Sequence, residues 1–138
     1  MKVPAQHQRV TENPIIPVKT PKAQSRFTLL NPNRLPVTVL EPERFFPKGA
    51  LNCDFVFQAP EAPVEIYVEL KGSNFPHALD QLASTIKLLK SPLKPKHCFV
   101  VIRRSPTIDL KTQRLLLHFG KQNKCTIKPK TQHYEHSL

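Results

Sequence analysis

The clearest alternation of apolar and polar positions in the chain runs through residues 64–71, Val-Glu-Ile-Tyr-Val-Glu-Leu-Lys. On an extended backbone Ile66, Val68 and Leu70 share one face, and Tyr67, Glu69 and Lys71 the other. Residues 51–57, Leu-Asn-Cys-Asp-Phe-Val-Phe, read as a preceding strand in which Cys53, Phe55 and Phe57 oppose Asn52, Asp54 and Val56. The short link Ala59-Pro60-Glu61-Ala62-Pro63 predicts that the two pair as an antiparallel hairpin. Gly72-Ser73-Asn74 then ends the strand, and Pro76 suits the first turn of a helix over about 76–90. Leu79, Leu82, Ile86 and Leu89 recur at helical spacing as one apolar stripe, and Lys90-Ser91-Pro92 stops it.

Residues 97–103 form a near-continuous apolar run, the mark of a strand buried on both faces. A helix crossing over from 64–71 makes the two strands parallel neighbours. Ser105 or Thr107 is placed to cap a second helix over about 107–120, closing near Gly120, with a short strand at 124–128. Upstream, Arg26 to Leu30 reads as a strand and Asn31-Pro32-Asn33 as a turn. A second extended run spans 36–46, where Pro42 points to an edge or a bulge, and Pro47-Lys48-Gly49 turns the chain again. The order predicts an α/β fold with a mixed central sheet flanked by helices. That domain covers 25–130; residues 1–24, with Pro4, Pro14, Pro17 and Pro21, read as an extended basic arm, and 131–138 as a loose tail.

Charge narrows the choice of partner. Twenty-one Lys and Arg against 10 Asp and Glu give a formal charge of +11, which favours an anionic partner, nucleic acid first. The 138 residues and 39% apolar content support one core. Cys53, Cys98 and Cys125 form neither a disulfide framework nor a CxxC zinc motif, and Cys53 and Cys98 read as buried thiols in a reducing cytoplasm. Met1-Lys2-Val3-Pro4 lacks the apolar run of a signal peptide. No stretch approaches the ~18 apolar residues of a membrane span, so a soluble intracellular protein without a membrane partner is expected.

The hairpin carries the chemistry. A loop near residue 61 sets Asp54 across from Val68 and Glu69, and neighbouring strands ~5 Å apart let both carboxylates reach one cation. Mg²⁺ is commonly held by one or two carboxylates with water and phosphate oxygens, and so held it activates water. Lys71, on the same face as Glu69, is placed to hold that water or offset charge building on the phosphate. The competing reading makes Glu69 and Lys71 ordinary exposed strand residues.

Cys53-Asp54-Phe55, then Tyr67-Val68-Glu69-Leu70-Lys71-Gly72, then His77-Ala78-Leu79-Asp80-Gln81-Leu82 resembles the PD-(D/E)xK nuclease superfamily, the fold of type II restriction enzymes and Holliday junction resolvases. Within it the chain is similar to small bacterial members with a CD…ELKG…A…QL pattern, over roughly residues 36–128 and most strongly over 51–82. The resemblance implies a restriction endonuclease-like fold, Asp54 and Glu69 as metal-binding acids, Lys71 as catalytic lysine, and Gln81 as a helix glutamine at the site. Cys53 stands where the superfamily has proline before the first acid. Many members carry a further Glu on an N-terminal helix; no helix is expected before residue 50, and Glu41 or Glu43 is the substitute.

His77, Lys87, Lys90, Lys94, Lys96, Arg103 and Arg104 are the candidates for a phosphate-binding rim. The expected function is an endonuclease using Mg²⁺ or Mn²⁺ to hydrolyse phosphodiesters of nucleic acid, DNA in the first place. The alternatives are a non-catalytic nucleic-acid- or protein-binding module of the same fold, or a nuclease subunit of a larger restriction or defence complex. A homodimer is expected if both strands of a duplex are cut.

Overall fold

A computed structural model describes residues 1–22, 24–71, 74–103 and 108–138, with the side chain of Lys71 outside the described set. The parity of the central hairpin decides its layering. Strand β1 spans Arg9–Thr11, β2 Ile15–Val18, β3 Arg26–Leu30, β4 Val37–Leu40, β5 Phe55–Ala59 and β6 Val64–Lys71. Helix α1 covers Phe75–Leu89, β7 Lys96–Ile102, α2 Leu110–Asn123, β8 Thr126–Thr131 and β9 His133–Ser137. Among the described residues this is a mixed α/β fold: a six-stranded sheet in the order β1-β4-β5-β6-β7-β8, a three-stranded sheet β2-β3-β9, and two α-helices.

Phe55, Phe57, Ile66, Val68, Leu70, Phe99 and Val101 of the large sheet pack against Ile16, Val18, Phe27 and Leu29 of the small one. Phe27 is the pivot: its ring lies 5.7 Å from that of Phe57 and 5.3 Å from that of Phe99. Burying each such ring stabilises the layer by ~1.5–3 kcal/mol. The opposite parity, Val56, Tyr67, Cys98, Val100 and Ile102, meets Leu79, Leu82 and Leu89 of α1 and Phe119 of α2. The large sheet is therefore covered on both faces, by helices on one and by a second sheet on the other.

The β5–β6 hairpin is antiparallel, with Phe55 opposite Val68, and β6 and β7 are parallel across the α1 crossover, as expected. Helix α1 starts with Pro in its first turn; Asn74 caps it by accepting from the His77 N–H, and Lys90 ends it in the left-handed region.

Several expectations are corrected. The strand expected at 51–57 begins only at Phe55, and Cys53 joins the helix side rather than the face of Phe55 and Phe57. The reason is local: the Cys53 N–H donates to Thr85 Oγ1 at 2.8 Å on α1, so residue 53 leaves the β ladder. Pro42 opens a short 3-10 turn, Pro42–Arg44, and β4 is no edge because β1 pairs along its free side. Helix α2 starts at Leu110 under an Asp109 cap and runs past Gly120 to Asn123; Ser105 and Thr107 lie outside the described residues. The last strand of the large sheet is 126–131 rather than 124–128. The arm expected over 1–24 is instead built into the fold: a 3-10 turn at Ala5–His7 precedes β1 and β2, which pair within the two sheets. The expected loose tail is β9, which pairs in parallel with β3, and the Leu138 N–H donates to Leu30 O at 3.0 Å.

Candidate functional site

At the C-terminal end of β6 the chain leaves a cleft of about 880 Å³. Asp54, Glu69, Asn52 and Gln81 line it, together with Glu41, Glu43, Arg44 and Arg103, residues 19–22, Gln24 and Ser25. Five of the residues singled out in the sequence, Asp54, Glu69, Gln81, Glu41 and Glu43, thus meet in one place, with Arg103 beside them.

Each is positioned by a different element. Glu69 stands on β6 with the parity of Tyr67, so it points to the helix side, and it is only 2% exposed. Asp54 lies one step before β5; the pairing of Phe55 with Val68 carries it opposite Glu69. Its Oδ2 accepts from the Leu70 N–H at 2.8 Å, which fixes the carboxylate against the end of β6. Gln81 reaches down from α1, its Nε2 donating to Asn52 O at 3.1 Å. Thr85, one turn on, accepts from Cys53 N–H and donates to Gln81 O at 2.8 Å, so one helix face clamps residues 52 and 53 beside the acids.

The electrostatics agree with this crowding. Burial pushes the Cys53 thiol well above its ordinary value, and the charges of Glu69 and Asp54 push it further, against the opposing hydrogen bond to Thr85. Both carboxylates therefore act on the same small volume. Gln81 Oε1 is buried in the cleft wall with no hydrogen-bond partner among the described residues, a cost of about 1–3 kcal/mol unless something outside the chain meets it. Two carboxylates and a bare amide oxygen form an all-oxygen donor set, the kind that Mg²⁺ or Mn²⁺ accepts. Among the described residues no group of three or more His, Cys, Asp and Glu side chains is arranged to hold a metal; Glu41 and Glu43 line the cleft without completing one.

The rim is basic but is not the rim read from the sequence. Lys19, Lys22 and Arg44 supply it with Arg103; Arg44 also pairs with Glu41 through its Nε. Lys19 and Lys22 come from the N-terminal segment, between β2 and β3 in the chain. His77, Lys87, Lys90 and Lys94 are not among the residues lining the cleft. Lys90 ends α1, whose 15 residues carry it ~22 Å from the helix start. Lys96 is committed elsewhere: its Nζ bonds Glu65 Oε1 at 2.6 Å and the carbonyls of Ser91 and Leu93. Arg104 lies outside the described residues, as does the Lys71 side chain; the Lys71 backbone is the last step of β6, opposite Ile102.

Sequence reading missed a second buried acid. Glu65 is fully buried on the same face of β6; Tyr67 Oη donates to its Oε1, and Gln58 Nε2 donates to its Oε2 at 2.7 Å. Burial, then the Glu65 charge, holds the Tyr67 hydroxyl far above its ordinary value, so it stays a donor. The shared parity of residues 65, 67 and 69 was the available signal. No family model, curated protein or solved structure matches the chain. No helix among the described residues is long and apolar enough to cross a membrane.

Proposed function

We propose that this protein is a metal-dependent endonuclease with a restriction endonuclease-like fold of the PD-(D/E)xK kind, cutting phosphodiester bonds of nucleic acid, DNA in the first place, in the cytoplasm. The observation that carries the reading is the convergence of Asp54, Glu69 and the bare Gln81 oxygen in a cleft walled by Lys19, Lys22, Arg44 and Arg103. An antiparallel hairpin bearing both acids, followed by a helix crossing to a parallel strand, supports the fold assignment.

In this reading Asp54 and Glu69 hold the cation, with Gln81 Oε1 as a further oxygen. A bound Mg²⁺ or Mn²⁺ supplies Lewis acidity and lowers the pKa of a coordinated water. The protein's own residues do the rest. The four basic side chains draw in the phosphate backbone and hold it over the acids. The Asp54 bond to Leu70 N–H and the Thr85 clamp on residue 53 keep the Asp54 carboxylate in place before substrate arrives. Lys71, on the sequence argument, holds the attacking water beside Glu69.

The test is a cleavage panel of duplex, single-stranded and branched DNA with Mg²⁺, Mn²⁺ or chelator. Cutting should need metal and vanish in Glu69→Gln, Asp54→Asn and Lys71→Ala. Wild-type cleavage by all three variants overturns the proposal. One observation favours a second reading, a non-catalytic nucleic-acid-binding module: no three-acid cluster stands among the described residues. Calorimetry with Mn²⁺ separates the two, because a pure binding module gives no heat that depends on Glu69.

A further inference from the structure

Two of the three cysteines face each other on the far side of the large sheet from its N-terminal edge. Cys98 lies buried in β7; Cys125 is half-buried in the bend between α2 and β8. The Cys98 thiol donates to Cys125 Sγ with the sulfurs 3.8 Å apart. A disulfide needs ~2.0 Å between sulfurs, so side-chain rotation with a small shift of the bend closes the gap. Cys125 stands two residues before Ile127, the register partner of Cys98, so both side chains take the same face. The bend is held by Lys124 in the left-handed region and by the Cys125 N–H donating to Gly120 O at 3.1 Å.

We propose that Cys125 and Cys98 form a reversible intramolecular disulfide on reaction with a peroxide, Cys125 being oxidised first and Cys98 resolving it. Cys125 is the half-buried residue of the pair and Cys98 the buried one, the arrangement a peroxide-reactive and a resolving thiol require. The two environments differ in the matching direction. The hydrogen bond from Cys98, with a smaller effect from the nearby Lys96 charge, holds Cys125 below the ordinary thiol value against the effect of its burial. Burial pushes Cys98 up. Cys53 is committed elsewhere, its thiol donating to Phe55 O, and takes no role.

The chemistry balances with one hydrogen peroxide. Cys125 Sγ attacks one peroxide oxygen, the O–O bond breaks, and the leaving hydroxide takes the thiol proton to become water. Cys125 is then a sulfenic acid. Cys98 Sγ attacks that sulfur, the S–O bond breaks, and the departing oxygen takes the Cys98 proton and leaves as a second water. Two thiols have lost two electrons and two protons, and the peroxide has gained them.

The experiment treats the full-length reduced chain with a slight excess of hydrogen peroxide and reads intact mass and free thiols. The expected result is the loss of two hydrogens, a fall from three titratable thiols to one, a cross-linked peptide pair containing Cys98 and Cys125, and full reversal by dithiothreitol. Cys98→Ser should stop at a sulfenic acid trapped on Cys125 by dimedone, and Cys125→Ser should retain its thiols at the same dose. Oxygen gain without hydrogen loss, three thiols retained, a bridge to Cys53, or a disulfide-linked dimer would each overturn the proposal. If a variant fails to fold, the wild-type mass and cross-linked peptide still decide.

Discussion

Strand β6 buries two glutamates on one face, four positions apart, and treats them in opposite ways. Glu65 is 0% exposed and Glu69 2%, so burial alone does not distinguish them. Around Glu65 the chain closes: a lysine, a tyrosine hydroxyl and an amide meet both carboxylate oxygens. Around Glu69 it opens: a cleft with a second carboxylate, Asp54, and a Gln81 amide oxygen with no hydrogen-bond partner among the described residues. The two sites lie ~13 Å apart along the strand. A buried acid compensated from within is architecture. Under the proposed function, Glu69 and Asp54 face a basic-rimmed opening to meet a cation that arrives from outside.

The comparison breaks first at Lys96. Lys96→Ala leaves Glu65 buried without its cation and should cost ~3–5 kcal/mol, read as a lowered urea midpoint. A loss below ~1 kcal/mol would mean that the closed end is a surface pair in energetic terms. Glu69→Gln should show the reverse pattern. Cleavage should fall at least ~1,000-fold, equal to ~4 kcal/mol of barrier, while the urea midpoint stays put or rises. If Glu69→Gln instead unfolds the protein and Lys96→Ala abolishes cutting in a folded chain, the roles are exchanged.

Metal sharpens the contrast on a smaller scale. Mg²⁺ or Mn²⁺ at ~100 times its Kd should stabilise the folded chain by ~2.7 kcal/mol. Thermal melts should show that gain in wild type and Lys71→Ala and lose it in Glu69→Gln. The smallest effect is expected at Thr85, which acts through the backbone of residue 53. Thr85→Val leaves the buried Cys53 N–H unmet, for ~1–3 kcal/mol, and frees residues 52 and 53. Cleavage should weaken through kcat with metal affinity nearly kept; unchanged turnover would show that the clamp serves stability alone.

How much of this was legible follows from physical reach. The alternation of 64–71 and the stripe of α1 are local patterns, so β6, α1 and the parallel β7 came through nearly residue for residue. Asp54, Glu69 and Gln81 line one cleft because hairpin register and helix phase, which bring them together, are also local rules. The three-stranded sheet was not. β9, His-Tyr-Glu-His-Ser, alternates exposed and half-buried positions and carries little apolar signal; only its pairing with β3 makes it a strand. Lys19 and Lys22 escaped notice for the same reason, since their place depends on where β2 and β3 return. Lys96 was read as a rim residue because the partner that claims it, Glu65, sits 31 positions earlier in the chain.

The pairing of β3 with β9 has a consequence in time. Arg26 opposes His133, 107 positions later, in parallel register. Closing so long a loop is entropically costly and comes late, in the millisecond-to-second regime of non-local β topologies. Until it closes, Phe27 and Phe99 lack the Tyr134 side of their cover, and the nascent sheet presents an apolar face to any chaperone or neighbouring chain. The strand with the weakest sequence signal is therefore the one whose arrival ends the molecule's most aggregation-prone interval.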